Sequence, residues 1–464
     1  MKFKSENRFL YCIIFFITLT SGILNSIYYF EDMDSLRFAT ALKYGYDINQ
    51  MQPHFPGYPV FHFIASLIYY LTNNIGITFS IVGSISMFFL IFSIINIIKN
   101  KSVFNNVLIS LLILFNPLFS LMSSRYMPDL LGLATCSMIF YLLIYSKNKK
   151  HNLLGNFLCG ILIGIRLSYF PLIIIPMIYS LIYHKNFMRL ISIFILGIIV
   201  WMVPLIAHQG LESLYTSGYN HTIGHFTKFG GTIFTETDII LRIKSIFHTI
   251  WSDGFGGYWK DRSILTLLIS GNLILIVRNT ILEHDNTISK NLKIILFSII
   301  IYFVWILFFQ NVIFKSRHVI PIIMLLIIIM FKTLPIKSYR KHYLCLIILW
   351  SILSINLNFY HKQGTAINKV KNYLQNKDID YIVSDQLINY YMKRNGLKVK
   401  KKYIDYDNLN KKNMEKLNDN SVALIGFNNL NVDSLYQSGF KNKVFYHNPY
   451  INRMWSQIPI FYNQ

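Results

Sequence analysis

Charge is what this sequence has least of. Only 14% of its 464 residues are Asp, Glu, Lys or Arg, against 53% hydrophobic and 16% aromatic. A soluble domain carries about a quarter charged residues, so the scarcity excludes a wholly soluble chain, and the long apolar blocks mark a polytopic membrane protein. Acids are the scarcer sign: 21 Asp and Glu stand against 44 Lys and Arg, a formal net charge of +23. In a soluble chain that excess would point to nucleic acid. Here the positives fall mostly between apolar blocks and in the C-terminal tail, topology accounts for many of them, and no nucleic-acid partner is expected. The abundance of Lys, Ile and Asn also fits an AT-rich genome. The four cysteines, Cys12, Cys136, Cys159 and Cys345, all lie in apolar blocks. None has metal-ligand spacing, and no disulfide is expected. No glycine-rich phosphate loop opens a helix of the tail, and no internal repeat stands out. No small-residue cleavage site follows the first apolar run, which is too long for a signal-peptide core.

At about 20 apolar residues per span, roughly eleven spans emerge. Their cores lie near 9–30, 76–98, 103–122, 128–146, 153–166, 168–183, 190–207, 263–279, 292–310, 319–333 and 343–360. Basic residues cluster in alternate gaps: Lys2, Lys4 and Arg8; Lys99 and Lys101; Lys147, Lys149 and Lys150; Lys185 and Arg189; Arg278, Lys290 and Lys293; Lys332, Lys337, Arg340 and Lys341. The positive-inside rule puts these in the cytoplasm. A first loop, 31–75, a long loop, 208–262, and the tail then lie outside. Residues 58–71 are apolar but too short to span, which suits an interfacial helix. The short pair 153–166 and 168–183, with Arg166 between them, reads as a shallow hairpin.

From Gly364 the pattern changes. Helices are expected over 366–377, 386–394 and 408–417, and strands over 380–384, 398–404 and 421–427. That alternation predicts a small extracytoplasmic α/β domain, 364–464, with a largely parallel sheet.

Residues 31–58, EDMDSLRFATALKYGYDINQMQPHFPGY, do not fit their apolar surroundings. Three carboxylates, Glu31, Asp32 and Asp34, stand at the exit of the first span. Such density is costly in hydrocarbon and belongs at the membrane surface or in a wet cavity. The bland reading is an exposed, solvated loop. In QPHFPGYP two prolines and a glycine fix a rigid turn flanked by His54 and Tyr58. An acidic cluster after the first membrane helix, an amphipathic segment, then H-x-P-G-Y-P before another apolar stretch resembles the GT-C membrane glycosyltransferases. Relatives there include protein O-mannosyltransferases and lipid A aminoarabinose transferases, and HFPGYP is similar to an HPPGYP motif of some branches. The likeness is one of layout, reaches about Tyr360, and is weak in residue identity. It implies a mainly α, polytopic GT-C-like module over 1–360. It also implies a polyprenyl-phosphate-linked sugar donor, a lipid, glycan or protein acceptor, and an active site facing the periplasm or exterior of a bacterial inner (plasma) membrane.

Asp32 and Asp34, with Glu31 beside them, can serve as general base for an acceptor hydroxyl or amine, or hold a divalent cation such as Mg²⁺ or Mn²⁺. Two carboxylates this close raise one another's pKa. Arg37 is within helical reach of Asp34. In SSRYMPDLL, Asp129 follows Pro128 and suits a helix N-terminus. Members of the resembled family often carry an acid in this second outer loop, which makes Asp129 a catalytic candidate, with Arg125 the nearest phosphate partner. Arg166, in GIRLSYFP, can meet a lipid phosphate or snorkel. KSRHVIP resembles an arginine-containing segment before a late helix of these transferases, making Arg317 the preferred phosphate ligand and His318 a second donor. His54 and Tyr58 complete the substrate-binding set. His221 and His225 have zinc-ligand spacing, but Gly218 and Gly224 argue against a stable helix and no third ligand is evident. Tyr215, Tyr219, Tyr258 and Trp259 can stack on a sugar or lie at the interface.

The expected activity is transfer of the sugar with inversion. Asp32 or Asp34 acts as base, and Arg317 with Arg166 stabilises the leaving phosphate, the acids and Arg317 facing one outer cavity. A non-catalytic transporter or flippase of lipid-linked sugars is the first rival, but it should show inverted repeats and broken helices at the midplane. A polysaccharide polymerase or ligase, the second, lacks the acidic first loop.

Overall fold

The computed structural model describes residues 5–100, 102–146, 148–184, 187–260, 262–282, 289–406, 420–426 and 439–463. The chain forms two compact units, Met1–Ile27 with Thr40–Phe359, and Tyr28–Ala39 with Tyr360–Gln464.

The first unit is helical. α1 (Ser5–Leu24) ends well before residue 30, where the apolar run had suggested it would. Phe30, which prolonged that run, packs instead against the core of the second unit. α2 (Met33–Tyr44) and α3 (Pro59–Thr72) follow. The 14 residues of α3 make a helix about 21 Å long, shorter than the hydrocarbon core. α4 (Ile75–Ile98) is long and apolar. The expected span 103–122 is broken into α5 (Val103–Leu114) and α6 (Pro117–Met122). Asn116 makes the break, because its side chain accepts from Phe119 N–H at 3.1 Å and Pro117 sits at the first helical position. α7 (Asp129–Phe140) runs on as a π turn through Tyr145.

α8 (Lys149–Arg166) and α9 (Phe170–His184) meet at a 3₁₀ turn, Leu167–Tyr169. Asn152 and Asn156, early in α8, donate to Ser180 near the end of α9 at 2.8 and 3.0 Å. Only an antiparallel hairpin brings those positions together, so Arg166 stands at its apex. α10 (Phe187–Gln209) packs on α8 through facing glycines. A Cβ on Gly160 would meet Phe194 O at 2.3 Å, and one on Gly197 would meet Phe157 O at 2.3 Å, so the backbones touch as small-residue membrane interfaces do.

α11 (Leu211–Gly224), α12 (Ile239–His248), α13 (Leu265–Leu282), α14 (Lys290–Phe309), α15 (Ile320–Thr333) and α16 (Arg340–Lys362) complete the helices up to the tail. Arg242, fully buried on α12, donates to the carbonyls of Leu307 and Gln310 at 2.7 Å, where α14 has run out of its own donors.

Among the described residues six helical segments are long and apolar enough to cross a membrane, and five further apolar helices are shorter. The chain is therefore a multi-pass membrane protein, but length alone does not return the expected eleven spans. The breaks at Asn116 and Arg166 explain part of the difference.

Among the described residues the second unit holds a five-stranded sheet of order β2-β1-β3-β5-β4. It comprises β1 (Tyr381–Ser384), β2 (Lys402–Asp405), β3 (Val422–Ile425), β4 (Lys441–Tyr446) and β5 (Gln457–Tyr462). β1 pairs in parallel with β2 and β3, whereas β5 is antiparallel to both β3 and β4. The sheet is mixed rather than largely parallel. The hairpin that makes it so was not among the expected strands, and Pro459 sits inside β5, an interior strand where proline is disfavoured. α17 (Ala366–Gln375) and α18 (Gln386–Arg394) pack on the sheet through Ala366, Ile367, Val370, Leu374, Ile388 and Met392. These fall at helical i, i+3/i+4 spacing. Met33 and Leu36 of α2 join the same core. The helix expected over 408–417 lies outside the described residues.

Candidate functional site: a buried carboxylate between two guanidiniums

Asp129 opens α7, at the helix end where an anion is favoured, and is fully buried. Its Oδ1 lies 2.9 Å from Nη2 of Arg166, and its Oδ2 lies 4.0 Å from Nε of Arg317. One carboxylate thus faces two buried guanidiniums. Arg125, four residues earlier, is buried too. The Tyr169 hydroxyl, 3.4 Å from Asp129 Oδ1 and 3.4 Å from the Arg317 carbonyl oxygen, links the hairpin apex to the turn before α15. Tyr302 on α14 donates to the carbonyl of His318 at 3.0 Å and fixes the far side of that turn. Among the described residues Asp129 Oδ2, Arg166 Nε and His318 Nδ1 have no hydrogen-bond partner. Buried polar atoms of that kind are uncommon and call for an explanation. Net positive charge and planar donors, with Arg166 Nε unsatisfied among them, suit a phosphate-like anion.

The HFPGYP turn reaches this cluster. Gly57 and Tyr58 both have positive φ, 83° and 50°, which turns the chain sharply into α3. The buried Tyr58 hydroxyl stands 3.4 Å from Nη1 of Arg166 and 3.1 Å from Nε2 of His54. The Arg166 guanidinium also lies over the rings of Tyr58 and Tyr169, 5.7 Å from each centroid. A polar chain therefore runs from His54 through Tyr58 and Arg166 to Asp129.

α11 backs the turn. The segment that Gly218 and Gly224 were expected to keep from helicity is helical throughout. Gly218 is there for close approach, since a Cβ would sit 3.0 Å from the Phe55 ring. His221 stacks on His54 at 5.7 Å between ring centroids. His225 lies 3.0 Å, through Nε2, from the carbonyl oxygen of Phe309, and burial lowers its pKa below the usual imidazole value. Among the described residues no three His, Cys, Asp or Glu side chains are grouped to hold a metal.

Glu31, Asp32 and Asp34 belong to the second unit and are buried, not solvated. Glu31 pairs with His361 at 2.8 Å. Asp32 accepts from Ser35 N–H at 2.9 Å, while Ser35 Oγ accepts from Asp32 N–H at 3.0 Å, a reciprocal cap at the start of α2. Asn452 donates to the other Asp32 oxygen at 3.2 Å. Asp34 pairs with Arg37 at 3.7 Å. Tyr391 donates to Phe30 O at 2.6 Å, and burial raises its pKa.

Sequence reasoning named Asp129, Arg166, Arg317, His54 and Tyr58 and put Arg317 with Arg166 at the phosphate, but it did not link Asp129 or Tyr58 to Arg166, and it missed Tyr169 and Tyr302. The only signal for Tyr169 was its place beside Arg166 in GIRLSYFP.

The fold of the chain has solved counterparts. It is similar to the crystal structure of ArnT from Cupriavidus metallidurans bound to undecaprenyl phosphate. That match has a TM-score of 0.57, with 9% identity over 97% of both chains. The apo state of the same protein matches at a TM-score of 0.52, with 10% identity over 97% of both chains. No protein-family model and no curated protein matches the sequence. At such identities it is the fold that is shared.

Proposed function

We propose that the chain is an integral-membrane glycosyltransferase that moves a sugar from a polyprenyl-phosphate carrier to an acceptor on the outer face of the membrane. The observation that carries this reading is Asp129 held between Arg166 and Arg317 with positive charge in excess. A fold similar to that of a protein crystallised with undecaprenyl phosphate supports it.

In this reading Arg317 and Arg166, with Arg125 and His318 as further donors, bind the carrier phosphate. Asp129 keeps the guanidiniums in place and limits their repulsion. Tyr58, steadied by His54, orients Arg166. The acceptor oxygen or nitrogen attacks the anomeric carbon, and the bond from that carbon to the phosphate oxygen breaks with its electron pair. The acceptor proton passes to Asp32 or Asp34, with Glu31 beside them. Charge grows on the phosphate as it leaves, and donors fixed in advance stabilise it at no reorganisation cost. A single displacement inverts the anomeric centre. A divalent cation at the acids is not required by this scheme.

The test is turnover of undecaprenyl-phosphate-linked sugars by the reconstituted chain. Asp32→Asn should abolish transfer while leaving membrane insertion and donor binding intact. A wild-type chain that moves the carrier across the bilayer without breaking the sugar–phosphate bond would show a flippase instead.

A further inference from the structure

Helices α1, α4 and α5 leave a groove between them that has no part in the mechanism above. α1 packs against both α4 and α5. The groove is lined by Leu10, Ile14 and Thr18 of α1, Ile91 of α4, and Val107 and Leu111 of α5. On α1 and on α5 these residues recur every fourth position, which puts them on one face of each helix. Ile13 and Ile17, at the lip, are exposed, so the groove opens sideways from the helices. From Leu10 to Thr18 it runs about 12 Å along α1. That is most of the depth of one leaflet, about 15 Å of hydrocarbon.

The chemistry of the walls selects hydrocarbon. The lining has two hydroxyls, and both donate to carbonyls of their own helices. Thr18 Oγ1 donates to Phe15 O at 2.9 Å, and Ser110 Oγ donates to Asn106 O at 2.7 Å. Their protons are therefore not available to a ligand. One end of the groove is different. α1 and α5 both begin near Leu10 and Val107, the cytoplasmic end by the lysine pattern. One turn before Val107, the Phe104 ring carries the Arg340 guanidinium 3.8 Å from its centroid. Both side chains are exposed. The ring holds the cation through its quadrupole without consuming the N–H donors, which suit a phosphate. Near the same end Asn96 donates to the Tyr11 hydroxyl at 3.3 Å and fixes α1 against α4.

We propose that this groove binds one acyl chain of an anionic phospholipid of the cytoplasmic leaflet, with the headgroup phosphate on Arg340. An apolar channel one leaflet deep, with a cation at its headgroup end, matches such a lipid in both length and charge. A zwitterionic lipid carries the same phosphate but brings a cation of its own towards the guanidinium. The sugar carrier fits less well, because the arginines proposed for its phosphate belong to the outer face and the groove's cation to the inner one. The site is independent of the transferase reading.

The experiment uses the full chain, purified in detergent and stripped of lipid. Native mass spectrometry reads the binding of phosphatidylglycerol and of phosphatidylcholine with the same acyl chains. Phosphatidylglycerol should bind about fivefold more tightly, the worth of one arginine near an anionic headgroup. Leu111→Trp fills the groove from a half-buried wall position and should weaken both lipids about tenfold, as the chain loses its apolar contact. Arg340→Gln, at an exposed position, should bring phosphatidylglycerol down to the level of phosphatidylcholine and leave the latter unchanged. That variant keeps the test open should Leu111→Trp fail to fold. Equal binding of the two lipids by the wild type, or phosphatidylglycerol binding unchanged in either folded variant, overturns the proposal. Undecaprenyl phosphate serves as competitor. If it displaces phosphatidylglycerol, and Leu111→Trp raises the donor KM, the groove belongs to the carrier and the proposal falls.

Discussion

Arg166 and Asp129 meet at 2.9 Å, one at the apex of a helical hairpin and the other at the first turn of α7. Both are buried, so neither charge is compensated by water. Removing one partner from such a pair costs about 3–5 kcal/mol, chiefly because the other is left buried and unpaired. Asp129→Ala should therefore lower the melting temperature of the detergent-solubilised protein strongly. Asp129→Ala with Arg166→Met should recover much of that loss while remaining inactive. A double variant as unstable as the single one would show that the pair is not the source of the effect.

Arg317 has a different expected signature, because its role is toward the phosphate. Arg317→Gln should lower the transfer rate by roughly a hundred-fold, a few kcal/mol of barrier. Arg317→Lys should recover only part, since a point charge replaces a planar fork. Full activity in Arg317→Lys would remove the bidentate role.

Asp32 has two separable roles. As the cap of α2 it can be replaced by Asn, which caps nearly as well, whereas Ala should cost about 1 kcal/mol of stability. As a base it cannot be replaced by Asn. Asp32→Asn should fold like the wild type and lose about a hundred-fold or more in rate. An Asp32→Asn/Asp34→Asn protein with wild-type turnover would end the assignment of the base.

Tyr58→Phe keeps the ring beneath Arg166 but removes the hydroxyl between Arg166 and His54. At 3.4 Å that contact is long, so the lower end of the range for a hydrogen bond to a charged group applies, about 1.5 kcal/mol. Activity should fall about tenfold, with at most a modest fall in melting temperature. An unchanged rate would detach the HFPGYP turn from catalysis.

Sidedness can be tested with single cysteines. Asn49→Cys and Asn73→Cys, both at exposed positions, should label from the outer side, because α3 is too short to cross. Asn73 is preferable to Asn74, whose side chain caps α4 by accepting from Ile77 N–H at 3.0 Å. A reporter fused after Gln464 should be active outside the cytoplasm. Labelling of the two cysteines from opposite sides would invert the topology.

The sequence by itself determined that the chain is a multi-pass membrane protein with an α/β tail. Composition and apolar periodicity are local properties, and they survive whatever the packing does. It also singled out Arg166, because a guanidinium in an apolar run is conspicuous wherever it lands, and Arg317, through the resemblance of KSRHVIP to a segment of a known family. What it could not determine was who meets whom. The pairing of Asp129 with Arg166 spans 37 positions, and Tyr58 meets Arg166 across 108. Such contacts depend on a hairpin whose antiparallel course no short window of sequence records. The ends of elements were misread for the same reason. Phe30 looked like membrane because its hydrophobicity is the same in lipid and in a soluble core, and only the second unit packing around it tells the two apart. β5, which no expected strand covered, forms with Pro459 inside it. Hydrophobic pattern chooses the elements; tertiary packing chose their breaks, the register of the tail sheet, and the convergence of Asp129, Arg166 and Arg317, because only it brings distant side chains within reach.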